Sequence, residues 1–258
     1  MPSSSYDTIP DIGLLYDSVP LYAARQDVAF YVEEAEQVRG PVLELGCGTG
    51  RILLPLARAG HTVVGLDSSP PMLARCRERI AAEPAAVRGR ITLHQHDVRD
   101  FDLGTTYPLV IAPFRVLQHL ITIKEQLAFL AAVARHLAAG GRFIFDVFNP
   151  HFAKLTGADG VEREDTPQQS LPDGRSFRRA ARVTRVRWAD QVSEIELIWY
   201  VAARRLVQTF DLRWYLRAEL EHLLARAGFQ ARDVYGDFTR APLVDGSPEQ
   251  IVCAERRT

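Results

Sequence analysis

The sequence carries almost no excess charge and very little lysine. Its 258 residues include 31 basic and 32 acidic side chains, which gives a formal net charge of −1, and its only lysines are Lys124 and Lys154. Proteins that bind nucleic acid usually concentrate positive charge on one face. The near-neutral balance therefore disfavours a nucleic-acid partner and favours a small-molecule ligand.

Cysteines and long apolar runs are also scarce. The three cysteines, Cys47, Cys76 and Cys253, lie far apart and lack the C-x-x-C spacing of common zinc sites. We therefore expect no bound metal and no disulfide framework, with a reducing cytoplasm as the default location. The polar segment 1–10 lacks the apolar region of a signal peptide, and no run of about 20 apolar residues predicts a membrane span.

One glycine-rich stretch stands out from the rest of the sequence. In residues 42–52, VLELGCGTGRI, an apolar strand-like run leads into Gly46, Gly48 and Gly50, and a helical pattern follows. Glycines let the backbone turn tightly and approach a ligand closely. Their spacing matches neither G-x-G-x-x-G nor G-x-x-x-x-G-K-[ST], the dinucleotide and phosphate fingerprints. Acidic residues before and after the turn favour a ligand with hydroxyl groups and a cation over a pyrophosphate.

The stretch resembles the first motif of class I S-adenosylmethionine (SAM)-dependent methyltransferases. The resemblance includes Glu44, two residues before the first glycine, and Asp67, which ends the next apolar run. It implies an α/β fold with a Rossmann-like, seven-stranded, mostly parallel sheet in the order 3-2-1-4-5-7-6 and helices on both faces. It also implies SAM as the cofactor.

The resemblance assigns cofactor contacts to individual residues. Asp67 would accept both ribose hydroxyl protons, although it could instead cap the helix that follows. Asp97 would accept a hydrogen bond from the adenine amino group, the backbone amide of Val98 would donate to a ring nitrogen, and Met72 would lie against the adenine face. The predicted cofactor-binding residues are Arg25, Glu44, Gly46, Cys47, Gly48, Gly50, Asp67, Ser68, Met72, Asp97, Val98, Ala112 and Phe114.

The acceptor is expected at the carboxyl end of the fourth predicted strand, which lies beside the first strand at the switch point of such sheets. The pattern F-x-x-x-x-H-L over residues 114–120 resembles small-molecule N-methyltransferases, including glycine-type and amino-sugar enzymes. An amine acceptor is therefore slightly preferred over a hydroxyl. His119 is the candidate base, since histidine can be neutral near pH 7 and accept a proton, and Asn149 is a second catalytic candidate. The predicted substrate contacts are Tyr16, Tyr22, Arg115, His119, Phe148, Asn149 and Trp214.

Three regions are predicted along the chain. Residues 1–40 form an N-terminal helical lid, and residues 41–150 with 216–258 form the SAM-binding core. Residues 151–215 form an insertion, in which a loop over 151–173 precedes three β-like runs at 177–188, 192–202 and 206–215 that predict an antiparallel meander. In the resembling family the N-terminal segment covers the cofactor, and an inserted sheet covers substrate or pairs subunits. A monomer or a homodimer is expected.

Three other functions remain open on the sequence alone. A nucleic-acid (RNA) methyltransferase would need a basic groove, and Ala112-Pro113-Phe114 only partly matches the N/D-P-P-[FYW] signature of base amino-methyltransferases. No motif in the sequence excludes a protein that binds SAM without catalysing methyl transfer. A dehydrogenase is disfavoured because Arg51 stands where its fingerprint requires the third glycine.

Overall fold

The computed structural model of the protein describes residues 5–156 and 160–257. The first part of the chain alternates strands with helices, the arrangement that covers both faces of a parallel sheet. Its elements are α1 (Ile12–Asp17), α2 (Pro20–Ala23), α3 (Asp27–Glu36), β1 (Val42–Leu45), α4 (Leu53–Arg58), β2 (Val63–Asp67), α5 (Pro70–Ala81), α6 (Ala85–Arg88), β3 (Ile91–Gln95), β4 (Tyr107–Ala112), α7 (Ile123–His136) and β5 (Leu137–Phe148). The second part contains α8 (Phe152–Thr156), β6 (Arg163–Ser170), β7 (Ser176–Arg187), β8 (Val192–Val201), β9 (Arg204–Arg213), α9 (Arg217–Arg226), β10 (Phe229–Tyr235) and β11 (Glu249–Arg256). Short 3₁₀ helices lie at Ser5–Asp7, Val116–His119 and Trp188–Asp190.

The core sheet has seven strands in the order β10-β11-β5-β4-β1-β2-β3. Strands β1 to β5 run parallel, whereas β11 is antiparallel to both β5 and β10. Counted along the core chain this order is 3-2-1-4-5-7-6, which confirms the predicted Rossmann-like sheet. The strand order reverses between β1 and β4, so their carboxyl ends flank the ligand-binding crevice of an open α/β sheet.

Successive residues of the short strand β1 are buried on opposite faces of the sheet. Leu43 and Leu45 pack into one cluster with Phe129 of α7, while Val42 packs into the other with Phe30 of α3. This alternation is the two-residue period of a strand that is covered on both faces. The N-terminal helix α3 is thus part of the core packing rather than only a cover.

The N-terminal segment folds as three short helices instead of one continuous helical run, with Pro20 beginning the second helix. Ile12 and Leu15 of α1 pack in a third cluster with Met72 of α5 and Trp199 of β8. Residues 5–23 therefore lie between the core and the inserted sheet. Within the described ranges, every helix is too short or too polar to cross a membrane.

The insertion is an antiparallel sheet of four strands in the order β6-β7-β8-β9. The predicted meander is confirmed, but the expectation of only a loop over residues 151–173 was wrong, since this segment contains α8 and β6. The register of β6 against β7 shifts between Thr166 and Gln169, around Pro167. An edge strand tolerates proline because one side of its backbone needs no partner, which explains why a polar segment with a proline still pairs.

Candidate active site

A cavity of about 970 Å³ lies at the carboxyl ends of the parallel strands. Small-molecule sites usually span ~300–1,000 Å³, so this cavity has room for more than one small ligand. The predicted cofactor residues that line it are Glu44, Gly46, Cys47, Gly48, Asp67, Ser68, Met72, Asp97, Val98 and Phe114, and the predicted substrate residues are Tyr16 and His119.

The floor of the cavity is the glycine turn after β1. Gly46, Gly48 and Gly50 have φ values of 70°, 53° and 84°, in the left-handed region that glycine adopts without strain. A Cβ on Gly46 would stand 2.6 Å from Cγ2 of Val116, so no larger residue fits there. Gly50 lies behind the turn rather than in the cavity, where a Cβ would stand 2.9 Å from Sγ of Cys76.

Asp67 ends β2 with its carboxylate at the cavity wall. Oδ2 accepts a hydrogen bond from the Gly48 amide at 2.8 Å, and Oδ1 accepts one from the Ser69 amide at 2.8 Å. Burial raises the pKa of Asp67, although the backbone amides oppose this shift. Each carboxylate oxygen retains acceptor capacity. Asp67 thus supports the start of α5 and still presents acceptors to a ligand.

Asp97 lies after β3, at the edge of the same cavity. Its Oδ1 accepts hydrogen bonds from the Arg99 backbone amide and from Arg99 Nε, each at 2.9 Å. The hydrogen-bonded guanidinium lowers the pKa of Asp97, which keeps the carboxylate ionised near neutral pH. Val98 and Met72 line the cavity as well, so the structure brings the three predicted adenine contacts together.

Glu44 is the most deeply buried acid of the cavity wall, with 2% of its surface exposed. Its Oε2 has no hydrogen-bond partner among the described residues. Burial raises the pKa of Glu44 to about 8. A buried carboxyl oxygen without a partner is costly, and a cationic ligand group would remove that cost.

Arg25 does not line the cavity. Its Nε, Nη2 and Nη1 form ion pairs with Asp27 at 3.0 Å, Asp146 at 3.0 Å and Glu249 at 2.8 Å. Among the described residues Arg51 and Arg99 line the cavity, and of these Arg51 entered the sequence prediction only as the absence of a third glycine. A basic residue directly after the glycine turn is the signal that could have identified it.

The segment after β4 adopts a strained backbone. Phe114 and Arg115 have φ values of 57° and 71°, which are uncommon for residues with a side chain and recur at functional sites. The Phe114 amide donates to Oδ1 of Asp146 at 2.8 Å. Asp146 is fully buried and also accepts from the Tyr31 hydroxyl at 2.7 Å. It therefore holds the segment in place and does not line the cavity.

Aromatic rings form the wall next to this segment. The ring of Phe114 lies 6.2 Å from that of Tyr16 and 5.1 Å from that of Tyr22. Tyr16 and Phe114 line the cavity, whereas Tyr22 stands behind them and its hydroxyl accepts a hydrogen bond from Arg179 of β7 at 2.6 Å. Through this bond the inserted sheet supports the wall.

His119 lies in the 3₁₀ helix after β4 and lines the cavity. Its ring is 5.7 Å from that of Phe210 in β9. His119 is exposed in the open cavity, yet desolvation by the surrounding protein atoms and the nearby Arg115 guanidinium lower the pKa of its imidazole to about 4. The imidazole is therefore neutral at physiological pH.

Five further predicted residues, besides Arg25, Gly50 and Tyr22, do not line the cavity. Asn149 donates from Nδ2 to the Ser247 carbonyl at 3.0 Å, as a turn residue would. Trp214 is buried against Phe152 and Trp188. The remaining three are Ala112, buried in β4, and the neighbours Arg115 and Phe148, whose guanidinium carbon and ring centre are 5.4 Å apart.

The described residues contain no group of three or more His, Cys, Asp or Glu side chains that could hold a metal ion. The cavity wall instead combines acids at strand ends with aromatic rings, the histidines His96 and His119, and the arginines Arg51 and Arg99. This set suits an organic ligand that carries hydroxyl groups, an amine and a positive charge.

Residues 42–141 match a family model described as a methyltransferase domain. The chain is 30% identical to the cypemycin N-terminal methyltransferase of Streptomyces sp over 220 residues, which cover 84% of this chain and 83% of the relative.

Solved structures show the same fold over nearly the whole chain. The CcbJ methyltransferase from Streptomyces caelestis superposes with a TM-score of 0.79 at 26% identity, covering 99% of each chain. The SAM-bound amino pentose methyltransferase CalS10 from Micromonospora echinaspora superposes with a TM-score of 0.64 at 30% identity, covering 90% of this chain and 89% of that one.

Proposed function

This chain belongs to the class I SAM-dependent methyltransferases, and we propose that it transfers a methyl group from SAM to an amino group of a small molecule. One observation carries the proposal: Glu44, Asp67 and Asp97, at or just beyond the ends of three neighbouring strands, line one cavity together with His119. Relatives that act on a peptide N-terminus and on an amino pentose favour an amine acceptor.

The residues present fit SAM on chemical grounds. Asp67 offers two acceptor oxygens for the ribose hydroxyl groups, and Asp97 offers an acceptor for the adenine amino group. Glu44 offers a buried carboxyl group with an unpartnered oxygen, the complement of an ammonium group. Bound there, SAM would supply an electrophilic methyl group on a sulfonium, ready for in-line displacement.

The contribution of the protein to such a transfer is mainly positional. Aligning two reactants accounts for ~7–11 kcal/mol in well-oriented systems. An amine attacks with its own lone pair, so it needs no strong base. Phe114 and Tyr16 present rings to the cavity, and such rings attract the positive charge of a sulfonium or of a methylated ammonium.

His119 fits a positioning role better than the role of a strong base. A general base works best when its pKa is near the working pH, whereas the pKa of His119 is lowered to about 4. A neutral imidazole also avoids repelling the sulfonium. We propose that a ring nitrogen of His119 accepts a hydrogen bond from the acceptor amine and fixes its orientation.

The N-terminal segment would close the cavity over both ligands. Tyr6, Asp7 and Tyr16 reach the cavity from this segment, and the Ser69 hydroxyl donates to Oδ1 of Asp7 at 2.9 Å. We propose that residues 5–23 act as the lid and that the inserted sheet backs it. Five of the seven predicted substrate contacts do not line the cavity, so Tyr16 and His119 are the acceptor contacts that we retain.

The cysteines of the chain are free and buried, which suits a reducing compartment. We propose a cytoplasmic monomer or homodimer without a nucleic-acid partner. Gel filtration gives the oligomeric state, and retention on heparin that falls steeply with salt would contradict the absence of a nucleic-acid partner.

The function is tested with pairs of acceptors that differ in one group. Each pair consists of an amino sugar, or a peptide with a free N-terminus, and the same compound with a hydroxyl in place of the amine. Mass spectrometry measures the methylated product, and a coupled assay measures S-adenosylhomocysteine. We expect a higher kcat/KM for the amine of at least one pair. Equal or faster methylation of the hydroxyl compounds would overturn the amine assignment.

A further inference from the structure

Arg25 and Arg51 are both candidates for binding the methionine carboxylate of SAM. We propose that Arg51, and not Arg25, binds the carboxylate of the SAM methionine, so that Glu44 and Arg51 hold the two ends of its zwitterionic amino-acid group. The inference rests on the proposed function only in requiring that SAM binds in this cavity.

The guanidinium of Arg51 is fixed and faces the cavity. Nη1 and Nη2 donate to the two carboxylate oxygens of Asp27 at 2.6 and 2.7 Å, and Asp27 is fully buried. This bidentate pair locks the orientation of the guanidinium. Nε and the outer hydrogens of Nη1 and Nη2 remain as donors. Tyr16, within hydrogen-bonding reach of Arg51, lines the cavity beside it.

Arg25 does not line the cavity, and its positive charge is already compensated by acidic side chains. Each of its three nitrogens already donates to an acid, namely Asp27, Asp146 or Glu249. A ligand carboxylate next to Arg25 would meet three negative side chains around one positive one. At Arg51 the acid in direct ion-pair contact is Asp27, which is already bidentately paired.

The location of Arg51 also matches the direction in which SAM must lie. Asp67 and Asp97 place the ribose and adenine toward β2 and β3, so the methionine must extend toward β4. The guanidinium carbons of Arg51 and Arg25 lie 5.1 and 4.8 Å from the ring centre of Phe114, which follows β4, but only Arg51 of these two lines the cavity. Arg51 is therefore at the end of the cavity where the methionine carboxylate belongs.

Glu44 completes the arrangement, because an ammonium group bound next to its carboxyl favours the ionised form. Its unpartnered Oε2 is buried at the cavity wall, close enough to Arg51 for the guanidinium to stabilise the ionised carboxyl. A zwitterion with an ammonium and a carboxylate on the same carbon fits between one acid and one arginine. A ligand without the carboxylate would make only half of these contacts.

The experiment compares three ligands by isothermal titration calorimetry. SAM carries both groups, decarboxylated SAM keeps the ammonium but lacks the carboxylate, and 5′-methylthioadenosine lacks both. We expect Arg51→Gln to weaken SAM binding roughly 10- to 100-fold, the effect of losing hydrogen bonds between charged groups. Binding of decarboxylated SAM and of methylthioadenosine should change less than about 3-fold. Methylthioadenosine binding also reports that the variant is folded.

Matched variants make the result specific. Arg25→Gln removes the competing arginine, and Arg99→Gln removes a cavity arginine at the adenine end; neither should discriminate SAM from decarboxylated SAM. Arg51→Lys, which keeps the charge, should show a smaller selective loss and serves if Arg51→Gln does not fold. A uniform loss for all three ligands in the Arg51 variants, or a selective loss in Arg25→Gln, would overturn the inference. Failure of the wild-type protein to bind SAM would instead overturn the proposed function.

Discussion

Gly48 and Asp67 are joined across the ends of β1 and β2 by a hydrogen bond of 2.8 Å, from the glycine amide to Oδ2 of the aspartate. The bond ties the glycine turn to the acid that we assign to the ribose. Asp67 is thus positioned by the same backbone that forms the floor of the cavity, which keeps its remaining acceptor sites directed at the ligand.

The first prediction concerns this acid. Asp67→Ala removes two acceptors for ribose hydroxyl groups, and we expect SAM affinity to fall by at least roughly 100-fold, since each hydrogen bond to a charged group is worth about 1.5–3 kcal/mol. Calorimetry measures the change, with Asp245→Ala, an exposed loop residue, as the control. Affinity like that of the wild type in Asp67→Ala would remove the ribose assignment.

The second prediction concerns pH and Glu44. Its pKa rises from an ordinary value of 4.5 to about 8 in the folded protein because the carboxyl is buried. Between these pH values the folded chain holds a proton that the unfolded chain has released. The contribution of Glu44 to the free energy of unfolding therefore falls as pH rises from about 5 to 8, by at most ~1.4 kcal/mol per pH unit. Above about pH 8 this contribution no longer changes.

Urea unfolding of the ligand-free protein at pH 5 to 9 checks this sign. In Glu44→Gln the free energy of unfolding should no longer fall on account of residue 44, so the variant should gain stability relative to the wild type as pH rises. Glu221→Gln, on the surface of α9, should follow the wild type. A difference between Glu44→Gln and the wild type that stays constant with pH would show that the raised pKa is wrong.

The third prediction separates two roles for His119. A neutral hydrogen bond to the amine is worth roughly 3- to 10-fold, so His119→Ala should lower kcat/KM by that factor. Loss of a general base would cost ~100-fold or more. The pH profile of kcat/KM from 6 to 9 should keep its shape in the variant, because the pKa of His119 lies near 4. If the profile has a limb between pH 6 and 7 that disappears in His119→Ala but not in the exposed control His222→Ala, His119 would instead act as a general base.

The fourth prediction concerns the lid. Asp17 accepts from the Thr49 hydroxyl at 2.6 Å, from Arg75 Nε at 2.8 Å and from Arg79 Nη1 at 3.1 Å. These bonds fasten α1 to the glycine turn and to α5. Removing the charge with Asp17→Asn should speed release of S-adenosylhomocysteine, roughly 10-fold if one charge-assisted bond is lost.

Stopped-flow fluorescence with a competing ligand measures the release. Asp11→Asn is the matched control, since Asp11 lies just before α1 and its carboxylate pairs with the exposed Arg175. An unchanged release rate in Asp17→Asn, or an equal change in both variants, would argue against these bonds as the fastening of the lid.

The acids of the cavity were predictable because strand ends can be read from the sequence. Asp67 directly ends an apolar run, and Asp97 follows one closely. Parallel strands bring their carboxyl ends to one edge of the sheet, so the meeting of these acids follows from the order of the strands. The same reasoning located His119 after β4.

The sequence could not show which of Arg25 and Arg51 is the better candidate for the carboxylate of SAM. The answer depends on Asp146 of β5 and Glu249 of β11, which are far apart in the sequence and both form ion pairs with Arg25. No local pattern records such long-range pairing. The strand β6 escaped prediction for a similar reason, since its polar residues lack the alternation of a half-buried strand and it forms by pairing with β7.

Two residues of the inserted sheet support the cavity wall without lining the cavity themselves. Arg179 donates a hydrogen bond to the Tyr22 hydroxyl, and the ring of Phe210 packs next to that of His119. On the assignments proposed above, the donor contacts come from the strand ends, whereas the inserted sheet supports the residues next to the acceptor. Substitutions at Arg179 or Phe210 should therefore change acceptor selectivity before they change SAM affinity.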